Sequence, residues 1–104
     1  MKTLMIVARD SMMSELEKLL RDTGINAYSI INKVMGKGKT GKVKESYFDS
    51  GYTGYNLMIL AVLPSDQVDK AVSALKAFRE VRVKGAHGKL IPFKLFSFPC
   101  EELI

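Results

Sequence analysis

Two short stretches concentrate the residue types that hold anions. Gly36-Lys37-Gly38-Lys39-Thr40-Gly41-Lys42 lies between two apolar segments, and Gly85-Ala86-His87-Gly88-Lys89 follows nearer the C-terminus. Glycine lets backbone N–H groups approach an anion closely, and lysine adds mobile positive charge. Two such loops in one small fold point to phosphate or nucleotide recognition. The bland alternative, a pair of soluble turns, uses the same residues.

Other chemistries fit less well. Gly36, Gly41 and Lys42 match the spacing of a P-loop, but Val43 stands where a magnesium-binding Ser or Thr belongs, and no helix start follows. His87 is the lone histidine, with no carboxylate within a few residues to orient its ring, so neither a metal site nor proton transfer is expected. Ser46, Asp49, Ser50 and Thr53 cluster beside tyrosines without any nucleophile-elbow spacing. No acid-base pair is evident, and the chain reads as a non-enzyme. Cys100 is the only cysteine, which excludes an internal disulfide and a cysteine metal cage.

The chain has 104 residues, 47% of them hydrophobic, which suits one compact domain over 1–104. No apolar run approaches the roughly 20 residues of a membrane span. The run Leu4–Ala8 is too short for a secretory signal and meets Arg9 and Asp10 at once, so it reads as the buried first strand of a cytoplasmic protein. The formal charge is +5, and Lys33, Lys37, Lys39, Lys42 and Lys44 fall in one window that by itself matches that excess. The positive field is therefore local, and its partners would be phosphates, nucleic acid or an acidic protein surface. Tyr47, Phe48, Tyr52 and Tyr55 interleave with these lysines in a way that could stack bases, which keeps a nucleic-acid-binding domain using the 33–44 loop as the alternative. Phe93, Phe96 and Phe98 read instead as core or subunit-interface residues.

These loops need elements to hold them. Residues 3–9 read as a strand; Ser11 can cap a helix carrying Met12, Leu16, Leu19 and Leu20 at helical spacing, which Gly24 ends. Residues 25–35 suggest a second strand, and 36–54 a long polar excursion of the kind that usually functions. Tyr55–Leu63 suggests a strand buried on both faces. Ser65 can cap a second helix with a Val68, Ala71, Val72, Leu75 and Phe78 stripe, ending near Glu80. Leu90–Phe98, with Pro92 near its start, completes the set. The order β-α-β-β-α-β predicts an α+β, ferredoxin-like sandwich, an antiparallel sheet with two helices on one face. That fold alone assigns no function.

Val34-Met35-Gly36-Lys37-Gly38-Lys39 resembles the base of the long T-loop in the PII family of nitrogen-regulatory proteins, with Lys39 in place of an arginine. Gly88-Lys89-Leu90-Ile91, preceded by Gly85, resembles that family's B-loop, with His87 where aspartate is usual, and Gly24-Ile25 also fits. The resemblance runs over nearly the whole chain and implies a divergent PII-like signalling protein. It implies a homotrimer that holds an effector in clefts between subunits, with no tightly bound cofactor. The effector would be an adenine nucleotide, AMP, ADP or ATP, held by Gly36, Lys37, Gly38, Lys39 and Thr40 of one chain and Gly85, His87, Gly88 and Lys89 of the next. The excursion, through Lys42, Lys44, Tyr47, Phe48 and Tyr52, would then dock on a regulated enzyme or membrane transporter in nitrogen or carbon metabolism. Two departures accompany it. The family's C-terminal phosphate-binding arginines have no counterpart where Glu101 and Glu102 stand, and its tyrosine-arginine-glycine modification site is missing. Weaker triphosphate binding and no nucleotidylation are the expectations.

Overall fold

The computed structural model describes residues 1–35, 55–85 and 93–104. The chain runs β1 (Lys2–Arg9), a 3-10 turn (Asp10–Met12), α1 (Met13–Asp22), β2 (Ser29–Val34), β3 (Asn56–Leu63), α2 (Ser65–Gly85) and β4 (Phe93–Pro99). The strands form one sheet in the order β2-β3-β1-β4, with every neighbouring pair antiparallel. This is the expected ferredoxin-like α+β arrangement.

Strand alternation decides where the core sits. Leu4, Ile6 and Ala8 of β1 pair with Ala61, Ile59 and Leu57 of β3, and all six are buried. Onto this face α1 brings Leu16 and Leu20, and α2 brings Val68, Ala71 and Leu75. Both helices thus cover the same side. A side-chain ion pair from Lys2 to Asp69 at 3.3 Å joins the rim of that face to α2.

The second face belongs to the alternate residues. Met5 pairs with Leu60 and Phe96, Val7 with Met58 and Lys94, and Thr3 with Val62 and Phe98, while Ile31 of β2 adds to Met58. No described element covers this face, and Ile31, Val62, Phe96 and Phe98 stay about half exposed. β3 is therefore not buried on both faces within one chain: its burial alternates strictly until Val62. Phe96 and Phe98 likewise lie outside the core.

Local details depart from the sequence reading for identifiable reasons. Ser11 does not cap α1; it lies inside the 3-10 turn, and α1 begins after Met12 without a side-chain cap. Ser65 is the first residue of α2, with the Pro64 carbonyl accepting from Val68 N–H at 3.1 Å. β2 starts at Ser29 because Ile25 is taken by the end of α1. Gly24, at φ +86°, lets Ile25 N–H reach the Leu20 carbonyl at 2.8 Å and its own N–H reach Arg21 at 3.0 Å, a Schellman closure that packs Ile25 against Leu20. Helix α2 continues past Glu80 to Gly85. Arg82 holds that extra length, donating to Glu15 at 2.8 Å and lying 5.7 Å over the Phe78 ring one turn back. β4 runs through Pro99, one residue beyond the expected end at Phe98, and Pro99 pairs with Lys2. The excursion at 36–54 and the start of the last strand at 90–92 lie outside the described residues.

Candidate functional site

Antiparallel order fixes where the two glycine-lysine loops are rooted. β1 and β2 end, and β3 and β4 begin, at one end of the sheet, since Arg9 pairs with Asn56, Val34 with Asn56, and Ala8 with Phe93. The chain enters 36–54 from β2 and enters β4 from 86–92 at this same end. β2 and β4 are opposite edges of the sheet. Three strand spacings of about 4.8 Å separate them by roughly 14 Å. One chain thus offers the two roots side by side in height but apart in width.

The root of the first loop carries a β-bulge. Between Ile31 and Val34 the register shifts against β3, and Lys33 adopts φ 57°, a left-handed conformation that costs a non-glycine residue energy. The extra residue bends β2 as it leaves the sheet. The pairing shows it as a broken alternation: Ile31 and Val34 pair with Met58 and Asn56, two residues apart on β3, yet stand three residues apart on β2. At the neighbouring strand ends, Asp10 N–H donates to the Tyr55 carbonyl at 3.0 Å and ties the start of the turn after β1 to the start of β3. The Arg82–Glu15 pair ties the last turns of α2 to the first turn of α1.

Among the expected site residues, Gly85 alone is described. It is the exposed final residue of α2, and a Cβ there would meet nothing within 4 Å, so its freedom is not spent on a crowded turn. Gly36, Lys37, Gly38, Lys39, Thr40, His87, Gly88 and Lys89, and the docking residues Lys42, Lys44, Tyr47, Phe48 and Tyr52, lie outside the described residues. The described residues hold no group of side chains that could bind a metal ion, and none of their helices is long and apolar enough to cross a membrane.

The opposite end of the sheet has different chemistry. A shallow cleft of about 340 Å³ is lined by Met1, Val62, Cys100, Glu101 and Glu102. Its two carboxylates, Glu101 and Glu102, disfavour phosphate there. Away from both, the Tyr28 hydroxyl donates to Glu17 at 2.6 Å, and this hydrogen bond raises the phenol pKa above its usual value, with burial and the Glu17 charge adding to it. The open face also lacks a base-stacking platform: its central strands present Met5, Val7, Met58 and Leu60, and the only rings described there, Phe96 and Phe98, sit on edge strand β4.

The family model for nitrogen regulatory protein P-II matches residues 1–101. Solved structures of CPII, a nitrogen regulatory PII-like protein from Thiomonas intermedia K12, share the fold. The form bound to ADP and bicarbonate is 22% identical with a TM-score of 0.67, covering 93% of this chain and 82% of that one. The form bound to ADP, AMP and acetate is 21% identical with a TM-score of 0.65, covering 92% and 81%. The apo form is 20% identical with a TM-score of 0.64, covering 93% and 85%. No curated protein matches the chain.

Proposed function

The chain belongs to the nitrogen regulatory protein P-II family, and from that premise we propose that it is a homotrimeric regulator whose effector, an adenine nucleotide, binds between neighbouring subunits. The observation that carries this reading is topological. Both glycine-lysine loops are rooted at one end of the sheet but on opposite edges, so a ligand touching both is met most directly where the β2 edge of one subunit faces the β4 edge of the next. The uncovered apolar face, with Phe96 and Phe98 near half exposure, supplies the reason to assemble: self-association removes that surface from water.

The known ligands of the CPII fold point in the same direction, since that protein is described with ADP, AMP and bicarbonate together. Effector binding would bias the conformations of the 36–54 excursion, and Lys42, Lys44, Tyr47, Phe48 and Tyr52 would present the result to a regulated enzyme or transporter. No tightly bound cofactor enters this scheme. Nucleic acid is the weaker alternative because the central strands lack aromatic side chains on the open face.

Light scattering followed by calorimetry with AMP, ADP and ATP tests the reading. A trimer that binds at least one nucleotide below millimolar concentration is expected, and Lys89→Ala should weaken that binding. A monomer, or a trimer that takes none of the three at millimolar concentration, refutes it.

A further inference from the structure

The corner between β1 and α1 is fastened to the segments that bear both loops. Met12 and Leu16 anchor this corner in the core. Its first residue, Asp10, donates its backbone N–H to the Tyr55 carbonyl at 3.0 Å, and Tyr55 is where the chain returns from the 36–54 excursion. Further along the same corner, Glu15 accepts from the Arg82 guanidinium at 2.8 Å. Arg82 stands near the end of the helix that runs into the second glycine-lysine loop.

The core contacts of α2 stop short of that end. Its buried stripe finishes with Leu75, Phe78 packs against the same core, and beyond them Val81 and Gly85 are exposed. The Arg82 guanidinium lies 5.7 Å over the Phe78 ring, so one planar group joins the last core-packed ring of α2 to α1. Among the described residues this is the one ion pair between the two helices. Its polarity suits the place: Glu15 is the acid in the first turn of α1 and Arg82 lies towards the C-terminal end of α2, so each charge complements its own helix end. With its side chains 40% and 44% exposed, the pair adds little to global stability. Its effect falls on local opening of a helix end with few core contacts.

We infer that Arg82 and Glu15 are positioning residues whose ion pair makes the 10–15 corner a brace, setting the exit of the first excursion and the entry to the second loop relative to each other within one chain. The use of this brace in effector binding rests on the intersubunit nucleotide reading. The mechanical link itself needs no ligand.

Hydrogen exchange and ADP calorimetry on wild type, Arg82→Gln, Arg82→Lys, Glu15→Gln and the Arg82→Gln/Glu15→Gln double variant test it. The control is Lys18→Gln, which removes an exposed ion pair to Asp22 at 3.0 Å that lies within α1. Without ligand, Arg82→Gln should exchange roughly three-fold faster both at 81–85 and at the Asp10 amide, while the melting temperature moves by no more than about 5 °C. ADP binding should weaken roughly three-fold in either single variant, no further in the double variant, and recover in Arg82→Lys, which keeps the charge. Lys18→Gln should change neither readout. Faster exchange at 81–85 alone, with Asp10 as in wild type, overturns the brace. ADP bound as tightly by Arg82→Gln as by wild type overturns the positioning role and leaves the nucleotide reading standing. Wild type that binds no nucleotide, with faster exchange at both places in Arg82→Gln, refutes the nucleotide reading and supports the brace.

Discussion

Phe96→Ser separates folding of the chain from its assembly. Phe96 is 47% exposed in the single chain. A phenylalanine offers roughly 200 Å² of burial, so covering the exposed half removes about 100 Å² from water, worth ~2.5 kcal/mol at ~25 cal/mol/Å². Three copies contribute ~7 kcal/mol to a trimer, an upper figure of about 10⁵ in its association constant. The midpoint concentration of a monomer–trimer equilibrium varies as the inverse square root of that constant, so it should rise up to about 300-fold. Dilution series by light scattering or sedimentation read this directly, with circular dichroism as the check on folding. The variant should dissociate while keeping its helix signal, because Phe96 lies opposite the core shared by β1, β3 and the helices. Val81→Ser is the control, since Val81 is 68% exposed but sits on α2; it should leave the midpoint unchanged. A Phe96→Ser protein that dissociates at the wild-type concentration, or a Val81→Ser protein that dissociates as readily as Phe96→Ser, refutes the assignment of the open face as the assembly surface.

Three further outcomes follow from backbone and hydrogen-bond geometry. Gly24→Ala meets no neighbouring atom but keeps φ +86°, so it should cost roughly 1–2 kcal/mol of backbone strain, seen as a lower urea midpoint with unchanged slope; an unchanged midpoint contradicts it. Lys33→Gly should act with the opposite sign, because relief at φ 57° outweighs the entropy lost by glycine, for a net gain on the order of 0.5–1 kcal/mol; a lower urea midpoint would show that the bulge is not strained. Tyr28→Phe should destabilise by about 1 kcal/mol near neutrality through loss of the bond to Glu17. The folded pKa of Tyr28 is raised above 10.0, so its contribution is full below that unfolded value and is lost as pH rises through the folded one. The deficit of Tyr28→Phe should therefore shrink above about pH 10, and a gap that does not change with pH in urea melts counts against the link.

Element order and the helix-covered core were legible because they depend on periodicity. Leu4, Ile6 and Ala8, or Leu16 and Leu20, bury one side wherever their neighbours end up. Gly24 announced the end of α1 because its left-handed φ suits glycine. Ser11 misled because a hydroxyl before an apolar run is only permission to cap, and Met12 was pulled into the core by a 3-10 turn instead. The last turns of α2 were invisible since what holds them, Arg82 on Glu15, joins residues far apart in sequence. Tyr55–Leu63 read as buried on both faces for a related reason: a strand with two apolar faces states that both will be covered, and does not say by which chain. The loops' residue types were plain from the outset, but the sharing of a sheet end and the separation across its width come only from strand order.

That separation bears on regulation. A pocket closed within one chain would bind its effector whatever the state of association. With loop roots on opposite edges, about 14 Å apart, the proposed effector site would be a property of the assembly. A ligand that bridges two subunits binds the trimer and not the free chain, so it must strengthen the trimer by the same factor that the trimer strengthens it. On the proposed reading, Phe96 and Phe98 would contribute association that does not depend on ligand, and an effector bound between subunits would make the remainder depend on its own binding. A chain whose apolar face alone gave very tight association would gain little from the ligand. On that reading, the half-exposed rather than fully exposed state of Phe96 and Phe98 would limit the ligand-independent share and leave room for an effector to matter.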